Sequence, residues 1–75
     1  MKKLDELKKR TMNINDGIYC YYKNNDFYIN PVANDSIEVY YNKKTYYFKS
    51  YEEMIMYPFL DGVQSIVDCI NHITW

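Results

Sequence analysis

Apolar and polar residues alternate along the stretch GIYCYYKNNDFYIN, and this pattern predicts a β-hairpin. A turn at Asn24-Asn25 places Tyr22 opposite Phe27 and brings the apolar positions of both strands onto one face. Pro31 follows directly and is expected to end the second strand, because proline has no amide hydrogen to donate to a strand ladder.

A second alternating stretch, SIEVYYNKKTYYFK, predicts another hairpin. Its turn is either Asn42-Lys43 or Lys43-Lys44, and the two choices give the same pair of faces because they differ by an even number of positions. One face of the two hairpins is therefore expected to form the core, with Ile18, Cys20, Tyr22, Phe27, Ile29, Ile37, Val39, Tyr41, Tyr46 and Phe48.

Helical spacing of apolar residues flanks the hairpins on both sides. MKKLDELKKRTM predicts a short helix over about 2–11. Ser50 and Glu53 form a capping box that begins a second helix over about 51–57. A third helix is predicted over about 62–73, where Val63, Ile66, Ile70 and Ile73 follow a helical stripe.

These elements predict a single α+β domain that spans residues 1–75, in which residues 1–12 are prone to fray. The expected architecture is a four-stranded antiparallel sheet of two hairpins, with a short N-terminal helix and two C-terminal helices mainly on one face. An alternative arrangement places the N-terminal helix across the second face of the sheet, which gives a three-layer core.

Charge is close to balanced over the whole chain but is unevenly distributed. The net charge is −1, and this value gives no overall attraction to nucleic acid or to a membrane surface. Residues 1–12 carry a balance of +3, whereas residues 51–75 carry −4. No apolar run resembles a signal peptide or a membrane span, so we expect a cytoplasmic protein.

No arrangement of residues predicts catalysis, a metal site or a cofactor. Ser65, Asp68 and His72 share one side of the predicted last helix, but no pocket or oxyanion donor accompanies them. Cys20 and Cys69 fall on apolar stripes and are expected to be buried, reduced thiols. We therefore interpret the chain as a protein that is not an enzyme.

Tyrosine is the unusual residue, with ten copies in 75 residues. Strand alternation places half of them on the face of the sheet opposite the predicted core, and large exposed aromatic patches commonly mark interaction sites. The predicted partner-binding tyrosines are Tyr19, Tyr21, Tyr28, Tyr40 and Tyr47. Acidic side chains of the C-terminal third are expected to steer the chain toward a basic partner: Glu52, Glu53, Asp61 and Asp68.

The sequence therefore predicts a small non-catalytic module whose partner is another protein. Two alternatives use the same tyrosine face: a single-stranded nucleic-acid binder that stacks bases on the rings, and a homo-oligomeric structural protein. Lysine outnumbers arginine eight to one, and asparagine, isoleucine and tyrosine are abundant, as is typical of AT-rich genomes. In size and composition the chain resembles small phage or mobile-element proteins. Many of these, the anti-CRISPR proteins among them, inhibit host proteins, and the resemblance implies an inhibitor or adaptor.

Overall fold

The computed structural model describes residues 2–14, 16–23 and 25–75 and shows an α+β fold. Its helices and strands, in chain order, are α1 (Lys2–Thr11), β1 (Ile18–Tyr22), β2 (Asn25–Ala33), β3 (Ser36–Tyr41), β4 (Lys44–Phe48), α2 (Tyr51–Met56), α3 (Ile66–Cys69), a 3₁₀ turn (Ile70–His72) and β5 (Ile73–Thr74). The strands form one antiparallel sheet in the order β4-β3-β2-β1-β5. The α+β class and antiparallel sheet agree with the sequence prediction, but the sheet has five strands where four were predicted.

The first hairpin has the predicted faces and a different register. Tyr22 pairs with Asn25, and Cys20 pairs with Phe27, so the pairing is shifted by two positions from the predicted one. A shift of two leaves every side chain on its predicted face. Of the predicted turn Asn24-Asn25, Asn24 lies outside the described residues, and Asn25 belongs to β2.

The second hairpin matches one of the two predicted turns. Tyr41 pairs with Lys44, so Asn42 and Lys43 form the turn between β3 and β4. Both residues have positive φ, 52° and 64°, as a type I′ hairpin turn requires. This turn matches the right-handed twist of the flanking strands.

Pro31 does not end its strand, which corrects the sequence prediction. β2 continues to Ala33 and pairs with β3 through Pro31, with a register irregularity between Pro31 and Ala33. Ile29 is the last β2 residue with a partner in β1, so Pro31 lies where β2 has a strand on only one side. Proline is tolerated at such edge positions and beside bulges.

The C-terminal region differs most from its prediction, because the single helix over 62–73 is not formed. Asp61 and Gly62 both have positive φ, 52° and 78°, which no right-handed helix accepts. The helix begins only after Ser65, which is the N-cap, and Val63 is exposed instead of buried. After the 3₁₀ turn, β5 pairs with β1 and supplies the fifth strand.

Among the described residues, α1, α2, α3 and the 3₁₀ turn all pack on the same face of the sheet. Leu7 of α1 is fully buried in a single core with residues of every other element: Ile18, Cys20, Tyr22, Phe27, Ile29, Ile37, Val39, Tyr41, Phe48, Tyr51, Met54, Phe59, Leu60, Ile66, Cys69, Ile70 and Ile73. The Tyr51 hydroxyl donates a hydrogen bond to the Leu4 carbonyl at 2.6 Å, which ties α2 to α1. The alternative in which α1 crosses the second face is therefore wrong.

Across the described ranges, no helix has the length and apolar character that a membrane crossing demands.

Candidate functional site

The predicted tyrosines lie together on the side of the sheet opposite the helices. We call this side the outer face and define it by Tyr19, Tyr21, Asp26, Tyr28, Glu38, Tyr40 and Tyr47. Strand pairing sets Tyr28 between Tyr19 and Tyr40, so three phenols form a row across β1, β2 and β3. Tyr47 pairs with Glu38 on one side of this row, and Tyr21 pairs with Asp26 on the other.

These side chains are open to solvent. The exposed fractions are 65% for Tyr19, 50% for Tyr21, 39% for Tyr40 and 70% for Tyr47. Tyr28 is half-buried between its two ring neighbours. Within the described ranges, no element crosses this face, so the rings are available to a partner.

The central row of rings is held in a defined geometry. The ring centroids of Tyr19 and Tyr28 are 4.6 Å apart with planes tilted by 50°, and Tyr28 and Tyr40 are stacked at 6.0 Å and 15°. The Tyr40 hydroxyl donates a short hydrogen bond to Oε1 of Glu38, and this bond raises the pKa of Tyr40. The row is therefore organised before any partner arrives, which lowers the ordering cost of binding.

A shallow concavity of about 310 Å³ lies over the row. It is lined by Tyr19, Asp26, Phe27, Tyr28 and Tyr40. The Phe27 side chain points into the core, where it packs edge-on against Phe59 at 5.6 Å. The concavity is therefore aromatic on its floor and has one carboxylate at its rim.

The acidic residues predicted to steer a partner are not brought together with the outer face. Glu52 and Glu53 lie in the first turn of α2, on the helical side of the sheet. Lys8 of α1 contacts Glu52 at 3.1 Å, and its hydrogen bond lowers the pKa of that carboxyl group. Glu52 thus joins α1 to α2, in addition to any role toward a partner.

The other two acids of that prediction take part in local structure. Asp68 completes a capping box, in which its carboxylate accepts from the Ser65 amide and the Ser65 hydroxyl accepts from the Asp68 amide. The Asp61 carboxylate accepts hydrogen bonds from the Tyr22 hydroxyl at 3.3 Å and the Asn25 side chain at 3.4 Å. Asp61 therefore fixes its loop to the end of the first hairpin.

The buried thiol of Cys69 lies beside this loop. The Cys69 thiol donates to Oε1 of Gln64 at 2.8 Å, and its Sγ lies 3.3 Å from the Tyr22 hydroxyl. The hydrogen bond with Cys69 and burial both raise the pKa of Tyr22. Cys20 is also a buried free thiol, and burial raises its pKa to about 12.

Of the Ser65, Asp68 and His72 set, the structure joins Ser65 and Asp68 by hydrogen bonds. The Ser65 hydroxyl is occupied by the cap, and His72 is exposed in the following 3₁₀ turn. Among the described residues, no three His, Cys, Asp or Glu side chains are grouped as a metal site requires.

Asp26 and Glu38 were not among the predicted site residues, although they lie on the outer face. Strand alternation contains the signal for both, because Asp26 has the same parity as Tyr28, and Glu38 the same parity as Tyr40. Strand alternation does not predict the hydrogen bond that the Tyr40 hydroxyl donates to the Glu38 carboxylate.

Comparison of the chain with protein-family models, with curated proteins and with solved structures finds no match.

Proposed function

We propose that this chain is a non-catalytic protein-binding module and that the outer face is its docking surface. The observation that carries the proposal is the organised aromatic surface on one side of the sheet, while α1, α2, α3 and the 3₁₀ turn pack on the other. Tyrosine provides large contact area at a low rotamer cost and a polar tip that tolerates water before binding.

The charges on this face favour a protein over a nucleic acid. Asp26 and Glu38 both place carboxylates among the rings, and these carboxylates would repel a phosphate backbone. The basic cluster of the sequence lies on α1, which packs on the opposite side of the sheet. A base-stacking face supported by lysines is therefore less consistent with this arrangement than a protein contact.

The sharper form of the proposal is an inhibitor or adaptor of a host protein, encoded by a phage or mobile element and acting in the cytoplasm, in the manner of an anti-CRISPR protein. Composition and size support this form, and the small compact domain with one large aromatic face suits it. A homodimer through the same face is the competing explanation of the exposed rings.

A capture experiment with matched variants tests the proposal. Tagged wild-type protein and a Tyr21→Ala, Tyr47→Ala variant are used to capture proteins from a low-GC bacterial lysate, with and without nuclease, and the recovered proteins are identified by mass spectrometry. We expect the wild type to capture one protein in stoichiometric amount, and nuclease treatment should not reduce its recovery. The tyrosine variant should recover at least about tenfold less of that protein.

The matched control changes exposed apolar residues on the helical side. A Met56→Ala, Val63→Ala variant removes side chains that are 66% and 74% exposed and should capture the same protein as wild type. Circular dichroism of both variants verifies their fold. Equal loss of the captured protein in both variants, or recovery that disappears with nuclease, would overturn the proposal. So would self-association through the outer face, seen as a wild-type mass in solution well above 9.2 kDa that returns to the monomer mass in the tyrosine variant.

A further inference from the structure

We propose that the concavity over Tyr19, Tyr28 and Tyr40 is a recognition site for a cationic side chain, and that its occupant is an arginine of the partner protein. This inference rests on the proposed function and names the kind of side chain that the outer face binds. It follows from three observations: the aromatic rings, the acidic rim, and the fact that no lysine or arginine of the described residues lies over these rings.

The floor of the concavity suits a guanidinium group. Tyrosine rings carry negative charge on their faces, and a cation within about 6 Å of a ring centroid is attracted to them. The ring centroids of neighbouring tyrosines in this row are 4.6 Å and 6.0 Å apart, so one cation bound in the concavity would be within reach of more than one ring. A planar guanidinium stacks on such a surface more favourably than a compact ammonium group.

Asp26 provides the complementary charge. It lies two residues before Tyr28 on the same face of β2, a separation of about 6–7 Å along a strand. Asp26 is exposed and has no ion pair with another described residue, whereas Glu52 is paired with Lys8. An arginine over the rings has the reach to place its fork of donors against this carboxylate.

The protein's own cations are placed elsewhere. Lys3 lies over the Trp75 ring at 5.6 Å, Lys8 over Tyr51 at 5.9 Å and Lys23 over Tyr22 at 5.2 Å. In residues 2–14, 16–23 and 25–75, no lysine or arginine lies over Tyr19, Tyr28 or Tyr40. Among the described residues, the three rings of the row are therefore open to a cation from outside.

Two of the three rings are fixed in place. The Tyr40 hydroxyl is held by Glu38, and the Tyr28 ring lies against Gly17, where an added Cβ would come within 1.6 Å of the Tyr28 hydroxyl oxygen. A fixed ring surface with one carboxylate at its edge selects for charge and planarity, and these are the properties that separate arginine from neutral side chains of the same size.

An NMR titration tests this assignment on the intact protein. The probes are Nα-acetyl-arginine amide and Nα-acetyl-citrulline amide, which have nearly the same shape and differ in charge. We expect the arginine probe to shift the ring signals of Tyr19, Tyr28 and Tyr40 in a saturable manner, with about fivefold tighter binding than the citrulline probe.

Two charge-neutralising variants complete the test. Asp26→Asn should reduce the preference for arginine, whereas Glu6→Gln, which removes an exposed carboxylate from α1, should retain it in full. Equal binding of the two probes, or equal effects of the two variants, would overturn the assignment. The capture experiment relies on Tyr21 and Tyr47, outside the concavity, so failure of the arginine site and failure of the docking face give different results.

Discussion

Gly17 shows how a single residue shapes the outer face. Its neighbour Asp16 makes the pair look like an ordinary turn signal, yet Gly17 has no positive φ in the structure. The observed position of the Tyr28 ring requires a residue without a side chain at position 17, because the ring occupies the space that such a side chain would fill. Sequence patterns identify the glycine but not this contact, since the contact depends on the rotamer of a residue eleven positions away.

We expect Gly17→Ala to displace the Tyr28 ring and weaken the Tyr19–Tyr28–Tyr40 row. The added Cβ would lie 1.6–2.7 Å from three atoms of that ring, so the ring must rotate. The free energy of unfolding should change by less than about 1.5 kcal/mol, because the half-buried Tyr28 ring can rotate toward solvent and alanine restricts the unfolded chain. Ring proton shifts and urea unfolding measure the two effects.

Gly62→Ala is the matched control for this substitution. Gly62 has a φ of 78° and open space around its Cα, so alanine there adds backbone strain of about 1 kcal/mol without touching any ring. The Tyr28 signals should keep their wild-type positions in this variant. Unchanged Tyr28 signals in Gly17→Ala would show that the ring does not depend on the glycine.

At the scale of elements, the predictable parts are those with a local signal. The α1 helix and the Ser50 N-cap of α2 follow from spacing within a few residues, and the structure confirms both. The second hairpin has Asn42-Lys43, one of the two turns that its pattern allowed. β5 has no such signal, because Ile73 is buried either as the last residue of a helical stripe or as a strand paired with Tyr22. The open edge of β1 decides between the two, and that edge exists only in the folded chain.

The hairpin turn between β3 and β4 gives a prediction at this scale. Lys43 has a φ of 64°, which costs a non-glycine residue about 1 kcal/mol, whereas glycine adopts it freely. Lys43→Gly creates the Asn-Gly pair that type I′ turns prefer, and should raise the free energy of unfolding by about 0.5–1 kcal/mol in urea titrations.

Lys44→Gly, one position later, is the matched control for the turn. Lys44 is a strand residue paired with Tyr41, so glycine there should lower the free energy of unfolding by about 0.5–1 kcal/mol. Opposite signs for two adjacent lysines are the expected result. If both variants were destabilised, the turn would not be of the type described.

Over the whole molecule, strand alternation predicted which tyrosines share the outer face, because the core face was already defined by its apolar partners. Strand alternation did not predict the roles of the acidic residues. Asp61 and Asp68 carry the same charge and similar exposure, and only the folded chain shows that one holds a loop and the other caps a helix. Charge counts along a sequence do not reveal which carboxylates are already engaged.

Buried cysteine and tyrosine side chains make the stability of the whole molecule depend on pH. Burial raises the pKa of Cys20 and of Tyr51 to about 12 each, and the hydrogen bond with Cys69 and burial raise that of Tyr22. These groups hold their protons more tightly in the folded chain than in the unfolded chain. Their stabilisation is therefore complete below the unfolded pKa values, near 9.0 for cysteine and 10.0 for tyrosine, and is lost as pH rises through the folded values.

We expect the free energy of unfolding to fall by about 2 kcal/mol or more between about pH 8 and about pH 11 in urea titrations. Cys20→Ala should reduce this slope, because it removes one of the groups that deprotonate on unfolding. Ile18→Val provides the comparison, since it also trims a buried side chain of β1 but titrates nothing, and it should lower stability equally at both pH values. A flat pH profile in wild type would mean that Cys20 and Tyr51 are not shielded from solvent as the structure shows.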